Sequence, residues 1–194
     1  MFLEQFPMEP KDHGWMEVIC GSMFSGKTEE LLRRLKRAEF ANQKYLLFKP
    51  KTDNRYEGKV VKSHKGSAMD GIVIEKATEV FSILTDEKVV AFDEAQFFGN
   101  DIIDVTKQLA DKGIRVICAG LDMDFQGNPF GPMCALLATA EFVTKVNAIC
   151  VNCGNLAYIS YRTVNDAEQV LVGAAEKYKP LCRRCYNLET KDQH

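Results

Sequence analysis

Eight consecutive residues near the amino terminus have the types and spacing of a phosphate-binding loop. Residues 21–28 read Gly-Ser-Met-Phe-Ser-Gly-Lys-Thr, which fits the pattern G-x-x-x-x-G-K-[ST]. Glycines at both ends let backbone N–H groups turn towards phosphate oxygens without interference from a Cβ atom. Lys27 adds positive charge for the β- and γ-phosphates, and the Thr28 hydroxyl can ligate Mg²⁺. The pattern predicts nucleoside triphosphate binding through Gly21, Ser22, Met23, Phe24, Ser25, Gly26, Lys27 and Thr28.

The sequence on either side of this loop predicts a strand before it and a helix after it. Residues 15–20 form an apolar run that is typical of a buried strand. Apolar residues then recur at helical spacing at Leu31, Leu32, Leu35 and Ala38. The charged residues between them are predicted to share the opposite, solvent-facing side; these are Glu29, Glu30, Arg33, Arg34 and Lys36. A helix in this position directs its N-terminus at bound phosphates.

A second chemical signal is the acidic pair Asp93 and Glu94, which follows the apolar run 89–92. A strand that delivers a carboxylate to the edge of a sheet can hold Mg²⁺, so Asp93 is predicted to be a magnesium ligand together with Thr28. Glu94 can act as a general base on an attacking oxygen. That oxygen could belong to water, which would give an ATPase, or to a substrate hydroxyl, which would give a kinase.

Four of the seven cysteines form two C-x-x-C pairs, which are Cys150 with Cys153 and Cys182 with Cys185. Two such pairs can present four thiolates to one ion, which predicts a structural zinc site with no open position. The 28 residues between the pairs exceed the usual spacing of about 15–20, so the metal is expected to close the base of a long loop. The remaining three cysteines, Cys20, Cys118 and Cys134, are expected in the core.

Between these motifs the chain alternates predicted strands and helices. Strands are expected at 45–48, 72–74 and 114–119, and helices at 101–112, 132–140 and 78–84, the last capped by Thr78. Apolar strands separated by helices indicate an α/β fold with a mostly parallel sheet, whose ligands lie at the carboxyl ends of the strands. A nucleotide-binding domain is expected over residues 1–148 and a small cysteine-containing domain over residues 149–194.

Composition excludes several other classes of protein. A chain of 194 residues with 46% hydrophobic content can bury one substantial core. A net charge of −2 and a pI near 6.0 give no electrostatic reason to expect nucleic acid as a partner. No run of 18 apolar residues exists, so no membrane span is predicted, and the amino terminus resembles no targeting peptide. A cytoplasmic protein is expected.

Two loops rich in aromatic residues follow predicted strands and are therefore expected at one pocket. The first contains Gln96, Phe97 and Phe98, and the second covers residues 121–131. A planar ring would fit between Phe97, Phe98, Phe125 and Phe130, with Met23 beside them. About half of these aromatics could instead belong to the core. An ATPase has little use for such a pocket, so it favours a kinase.

In combination, these residues resemble the zinc-containing type II thymidine kinases. The resemblance rests on the loop 21–28, Asp93-Glu-Ala-Gln-Phe-Phe98, Phe125-Gln126 with Pro129-Phe130-Gly131, and the paired cysteines, and it covers about residues 14–186. It implies a RecA-like P-loop domain plus a C-terminal zinc ribbon that carries a lasso loop. It also implies transfer of the γ-phosphoryl group of ATP to the 5′-hydroxyl of deoxythymidine, with Glu94 accepting the proton. Ala95 departs from the glycine that other members have there.

The same resemblance implies further contacts and partners. Beyond the phosphate loop, the ATP side would include Asp53, Asn54, Arg55, Asp93, Glu94, Ala95 and Gln96. The nucleoside side would include Met23, Phe97, Leu121, Phe125, Phe130, Gln169, Val170, Leu171, Val172, Gly173 and Tyr178. The family implies Mg²⁺ with ATP, a homotetramer, and feedback inhibition by thymidine triphosphate (dTTP). Two alternatives stay open: a zinc-ribbon P-loop ATPase, and a nucleotide-gated module that binds nucleic acid.

Overall fold

The computed structural model describes residues 14–51, 60–62, 68–164 and 177–191. Its largest element is a six-stranded sheet in which all neighbouring strands run parallel. The strands are β1 (Trp15–Cys20), β2 (Tyr45–Pro50), β5 (Ile72–Ile74), β6 (Val89–Phe92), β7 (Arg115–Gly120) and β8 (Phe142–Lys145). Their spatial order is β5-β2-β6-β7-β1-β8. This confirms the predicted α/β class with a parallel sheet.

Helices cover both faces of this sheet, which explains why its central strands are continuously apolar. On one face, Val18, Val90 and Val116 pack against α2 (Val80–Ile83), α3 (Asp101–Asp111) and α4 (Met133–Thr139). On the other face, Ile19 and Ile117 pack against α1 (Lys27–Phe40). Every residue of β6 and β7 is buried as a result. The carboxyl ends of the strands therefore open at one edge of a three-layered body.

The helix predicted at 78–84 begins differently from the prediction. Its first turn is a 3₁₀ turn (Ala77–Glu79), and α2 follows. The Glu79 carboxylate accepts the backbone N–H groups of Glu75 and Lys76, at 2.9 and 2.7 Å. Thr78 is exposed and does not cap the helix, so that prediction was wrong. The longer glutamate side chain reaches back to the free N–H groups from inside the first turn.

A buried charge network contradicts the predicted position of Arg34. Its side chain is fully buried under the sheet, and it donates to Glu17 Oε2 at 2.7 Å and Thr144 Oγ1 at 2.9 Å. Arg115 donates to both carboxylate oxygens of Glu17, at 2.6 and 3.1 Å. Burial alone would raise the pKa of Glu17, but hydrogen bonding and charge from Arg115, with Arg34 nearby, hold that pKa below its ordinary value.

The cysteine-containing segment, called the cysteine module below, comprises residues 148–164 and 177–191 of the described chain. It contains two antiparallel ladders: β9 (Ala148–Ile149) pairs with β10 (Leu156–Ala157), and β11 (Ile159–Arg162) pairs with β12 (Tyr178–Leu181). Helix α5 (Arg183–Lys191) completes it. One further ladder, of β3 (Val60–Lys62) and β4 (Ala68–Asp70), lies between β2 and β5 in the sequence. None of the helices in the described ranges is long and apolar enough to cross a bilayer.

Candidate active site

The predicted phosphate loop connects β1 to α1 and is shaped by its two glycines. A Cβ atom on Gly21, which has a φ of 146°, would lie 2.0 Å from the carbonyl oxygen of Val146. Gly26 has a φ of 88° and directly precedes α1. Any side chain at Gly21 would push away the backbone that leaves β8. Both glycines therefore occupy backbone conformations that other residues rarely adopt.

Lys27 lies folded across this loop. Its side chain is largely buried, and Nζ donates a hydrogen bond to the carbonyl oxygen of Ser22 at 2.8 Å. The Ser25 hydroxyl donates to the same oxygen at 2.7 Å. Phe24 lies at the tip of the loop in a left-handed conformation, with a φ of 63°, and is exposed. The ammonium group is thus held beside the backbone that is predicted to bind phosphate.

Met23 connects the phosphate loop to the cysteine module. Its backbone N–H donates a hydrogen bond to the Ser160 hydroxyl on β11 at 2.8 Å. The N–H is therefore engaged by protein, whereas the half-buried side chain remains near the loop. The family resemblance assigned Met23 to both the nucleotide side and the nucleoside side. Because Ser160 accepts the Met23 N–H, this geometry favours a substrate contact through the side chain over a phosphate contact through that N–H.

Thr28 and Asp93 face each other at the carboxyl edge of the sheet, as predicted. The Thr28 hydroxyl lies 3.5 and 3.4 Å from the two carboxylate oxygens of Asp93. These distances exceed those of an ordinary O–H···O hydrogen bond, which is about 2.7 Å. Mg²⁺ coordinates oxygen ligands at about 2.1 Å, so the Thr28 hydroxyl and the Asp93 carboxylate can both coordinate one ion. Thr28 and Asp93 could therefore hold a magnesium ion.

Glu94 follows Asp93 and occupies an unusual backbone conformation. It has a φ of 51° and its side chain is buried. The side-chain Nε2 of Gln96 donates to Glu94 Oε2 at 2.5 Å, and the side-chain Oε1 of Gln96 accepts the Leu121 N–H at 2.9 Å. Ala95 and Gln96 lie in a buried 3₁₀ turn. Left-handed residues other than glycine are costly and concentrate at functional sites, which supports a functional role for this carboxylate.

The aromatic residues predicted at a pocket separate into two groups. Phe97 and Phe130 contact each other edge to face, with ring centroids 5.6 Å apart, and Phe97 is half-buried. Phe98 instead packs against Phe92 in the main core and is only 5% exposed. Including Phe98 in the pocket was therefore wrong, because adjacent residues of the turn point in different directions.

Arg162, which the sequence analysis missed, connects two predicted nucleoside contacts. Its guanidinium lies 3.8 Å above the centroid of the Phe125 ring. It also donates two hydrogen bonds to the Tyr178 hydroxyl, at 3.1 and 2.7 Å. Phe125 and Leu121 are half-buried in the loop that follows β7, and Tyr178 is half-buried at the start of β12. Ser160 and Arg162 alternate with Ile159 and Tyr161, and this alternation could have indicated that the two polar side chains share one face of a strand.

The loop after β7 is organised by two buried aspartates that were also missed. The Asp124 carboxylate accepts the backbone N–H groups of Gln126 and Asn128, at 2.9 and 3.0 Å. Asp122 pairs with Lys145 at the end of β8, at 2.7 Å. Hydrogen bonding to Asp122 raises the pKa of Lys145. Both contacts fix the loop that carries Leu121 and Phe125.

The four paired cysteines lie together, as predicted. The Sγ atoms of Cys150, Cys153, Cys182 and Cys185 are all within 4.8 Å of one another, and the Cys153–Cys182 distance is 3.6 Å. Sulfur ligands of tetrahedral zinc are about 3.8 Å apart, because each Zn–S bond is about 2.3 Å. These thiols could therefore hold a metal such as zinc. Of the other three cysteines, Cys20 and Cys118 are buried but Cys134 is exposed, so its prediction was wrong.

Backbone groups around the thiols favour thiolates on one side of the cluster. Burial opposes ionisation of Cys150, but N–H groups that include those of Cys182, Asn152 and Cys153 lower its pKa to about 6. The other thiols, Cys153 first among them, raise the pKa of Cys185 to about 12. Four adjacent thiols cannot all ionise without a cation, and a metal ion supplies that charge.

Some predicted contacts fall outside the described residues. These are Asp53, Asn54 and Arg55 on the nucleotide side, and Gln169, Val170, Leu171, Val172 and Gly173 on the nucleoside side.

Comparison with known proteins identifies the family. A sequence model described as thymidine kinase matches residues 14–186. The chain belongs to the thymidine kinase family. The thymidine kinase of Bacteroides thetaiotaomicron is 53% identical over 96% of this chain and 94% of its own length. That of Bacteroides fragilis is 54% identical over the same shares, and that of Porphyromonas gingivalis is 51% identical over 89% and 85%.

Family membership agrees with the resemblance that the phosphate loop, the acidic pair and the cysteine pairs indicated. Phosphorylation of thymidine is the activity for which the family is named. The phosphate loop and the acidic pair follow the carboxyl ends of two parallel strands of the same sheet, β1 and β6.

Proposed function

We propose that this chain transfers the γ-phosphoryl group of ATP to the 5′-hydroxyl of deoxythymidine and releases thymidine monophosphate. The observation that carries the proposal is the arrangement of the two carboxylates. Asp93 faces the phosphate-loop hydroxyl of Thr28, and Glu94, one residue later, is held by Gln96. Family membership supports thymidine as the acceptor.

The phosphate loop would bind the triphosphate through its backbone N–H groups and through Lys27. To reach phosphate oxygens, the ammonium group of Lys27 would leave its hydrogen bond to the Ser22 carbonyl oxygen. Thr28 and Asp93 would hold magnesium, whose charge, when it is bound, would offset that of the phosphates. Asp53, Asn54 and Arg55 are proposed, on the resemblance alone, to contact the nucleotide.

Glu94 would accept the proton of the 5′-hydroxyl as that oxygen attacks phosphorus. A general base must be held within hydrogen-bond reach of the proton that it removes. The buried position of Glu94 and its hydrogen bond to Gln96 orient the carboxylate before substrate arrives. Because Gln96 also accepts the N–H of Leu121, it ties the base to the loop that is proposed to contact the nucleoside.

The nucleoside would occupy the aromatic side of this edge. Met23, Phe97, Leu121, Phe125, Phe130 and Tyr178 are the described side chains proposed to contact it, and the backbone of 169–173 is proposed from the resemblance. A slot for one ring excludes purines, whereas a single methyl group gives only about 1–3 kcal/mol of discrimination. Thymidine is therefore expected to be preferred strongly over deoxyguanosine and more weakly over deoxyuridine.

Further parts of the proposal concern the metal, the domains and regulation. Zinc is proposed as the structural ion of the four thiols, because it prefers four thiolate ligands and the Sγ atoms lie within 4.8 Å of one another. We place the division between the nucleotide-binding domain and the zinc ribbon near Ala148. A homotetramer, inhibition by dTTP and a cytoplasmic location are proposed from the family resemblance.

The decisive experiment is a product assay with several nucleosides. The protein is incubated with Mg-ATP and thymidine, deoxyuridine, deoxycytidine or deoxyguanosine, and 5′-monophosphates and ADP are separated by chromatography. We expect thymidine monophosphate and ADP in equal amounts, with little ADP when nucleoside is omitted. Rapid ADP release without a nucleoside, and no nucleotide product, would mean that the protein is an ATPase.

A further inference from the structure

The side chain of Arg162 lies buried where β11 meets β12. It is the last residue of β11 and pairs in register with Tyr178, the first residue of β12. Only 5% of it is exposed. Burying a guanidinium is costly unless its contacts compensate, so the contacts indicate what the residue does.

These contacts join two parts of the chain that are far apart in sequence. The guanidinium stacks at 3.8 Å over Phe125, which lies in the loop after β7, and donates twice to the hydroxyl of Tyr178 on β12. We propose that Arg162 is a positioning residue for the nucleoside site, which sets nucleoside affinity by fixing Phe125 and Tyr178. This inference rests on the proposed function, in which both residues contact the nucleoside.

The contacts of Arg162 limit how Phe125 and Tyr178 can contact a substrate. Because the cation covers one face of the Phe125 ring, only the opposite face and the edge are available to a nucleoside ring. The Tyr178 oxygen accepts two N–H groups, so both of its lone pairs are used. Its own O–H must then point away from Arg162 as a donor. The expected ligand therefore presents an acceptor oxygen to Tyr178 and a flat face or edge to Phe125, as a pyrimidine nucleoside can.

Other buried arginines of the protein serve a different purpose. Arg34 and Arg115 share the carboxylate of Glu17 and lie around β1, β7 and α1. Their guanidinium groups compensate charge within the fold. Arg115 therefore provides a control for the general effect of removing a buried arginine.

The first test compares thymidine with ATP in Arg162→Met, Arg162→Lys and the parent protein. Steady-state kinetics give KM for each substrate, and calorimetry gives the dissociation constants. We expect Arg162→Met to raise the thymidine KM by about 10- to 100-fold, from the loss of a cation–π contact and of charged hydrogen bonds. The KM for ATP should stay within about twofold. Arg162→Lys should lose less, because it keeps the charge but not the planar fork.

The second test separates positioning from general stability. Tyr178→Phe and Arg162→Lys, alone and together, form a double-mutant cycle whose thymidine affinities should be clearly non-additive. Arg115→Met should lower the melting temperature without changing the ratio of the two KM values. Equal losses for thymidine and ATP in the Arg162 variants, or an unchanged thymidine KM, would overturn the inference. If Arg162→Met does not fold, the cycle decides alone. A parent protein that binds no thymidine would refute the proposed function itself.

Discussion

The parallel-sheet region and the cysteine module are held together by different physical means. Among the described residues, the two faces of the sheet bury clusters of 19 and 11 apolar residues, whereas the module's cluster has eight, of which three are cysteines. Several large apolar residues of the module are exposed instead; these are Ile149, Val151, Leu156 and Leu188. Apolar burial of this extent can stabilise the sheet region, but a core of eight residues is too small to do the same.

This difference predicts a division of labour. The sheet region carries the phosphate loop and both carboxylates, on strands whose positions are fixed by packing. The cysteine module supplies Ser160, Arg162 and Tyr178, whose positions depend on short ladders and on the thiol cluster. Damage to chemistry should therefore come from the first region, and metal-dependent damage to nucleoside binding from the second.

The largest effect is expected at Glu94. Glu94→Gln should slow phosphoryl transfer to thymidine by roughly 10²–10⁴-fold, because a general base contributes about that much. Binding of ATP and bound zinc should be unchanged, since the substitution keeps the shape of the side chain. The rate is measured in single turnover, and Glu75→Gln, at an exposed carboxylate, is the matched control. Transfer at close to the parent rate would show that Glu94 is not the base.

The next effect concerns stability of the sheet region alone. Glu17→Gln leaves Arg34 and Arg115 without their shared carboxylate, and breaking a buried pair typically costs about 3–5 kcal/mol. Urea unfolding should show this loss, while the ratio of the KM values for thymidine and ATP stays constant. A loss below about 1 kcal/mol, the range of exposed pairs, would contradict the prediction.

The same carboxylate gives a pH dependence with a definite sign. The pKa of Glu17 is lower in the folded protein than its ordinary value, because Arg115 and Arg34 outweigh burial. Its stabilisation is therefore complete above the ordinary glutamate pKa of about 4.3 and is lost as pH falls towards the lowered value. The free energy of unfolding of the parent should fall more steeply below about pH 5 than that of Glu17→Gln. Parallel curves would contradict this prediction.

Much of the sheet region was predictable from sequence because its signals are local. The apolar run 89–92, the loop 21–28 and the helix that ends before Gly113 each appear within a short window. Strand β8 was missed because its residues Phe142 and Val143 are exposed at the sheet edge, so the run is short and mixed. Edge strands lack the continuous apolar pattern of central ones.

The errors at individual residues come from contacts that are distant in sequence. Arg34 looks like a surface residue by helical periodicity, and its burial is explained by contacts with Glu17 on β1 and Thr144 on β8. Arg162 and Asp122 likewise gain their roles from Phe125 and Lys145. The sequence of one helix or strand contains no information about such distant partners. The cysteines differ, because the spacing of the two C-x-x-C pairs indicates that they bind one metal together.

Removing the metal should affect mainly nucleoside binding. Cys182→Ser removes one of the four thiols, and Tyr178 is the first residue of β12, which ends one residue before Cys182. Without the metal, nucleoside binding must also order β11 and β12. This ordering reduces the free energy of nucleoside binding by about 2 kcal/mol or more. The dissociation constant of thymidine should rise by about 30-fold. That of ATP should rise no more than about fivefold.

This comparison requires folded protein and a matched cysteine. Circular dichroism should confirm that the parallel-sheet region is retained, and metal analysis should show zinc in the parent but not in Cys182→Ser. Cys134→Ser, at an exposed cysteine outside the cluster, should bind zinc and both substrates like the parent. Equal losses for both substrates would mean that the module supports the whole fold.

The smallest expected effect lies at the hydrogen bond that joins the two regions. The Ser160 hydroxyl accepts the Met23 N–H, so β11 holds the phosphate loop in place. Ser160→Ala should raise the dissociation constant of ATP by about fivefold, the equivalent of one hydrogen bond of about 1 kcal/mol. Ser82→Ala, at an exposed hydroxyl on α2, is the control and should have no effect.

The direction of the change in ATP affinity, and its size in the parent compared with Cys182→Ser, show whether the cysteine module supports nucleotide binding. If β11 positions the loop, Ser160→Ala should weaken ATP binding in the parent but add little in Cys182→Ser, where β11 is already loosened. The double-mutant cycle measured by calorimetry would then show a coupling close to the whole single effect. If ATP instead bound more tightly to Ser160→Ala, the freed Met23 N–H would be a phosphate donor that the module withholds. In that case the cysteine module would oppose nucleotide binding, and the proposed division of labour would be wrong.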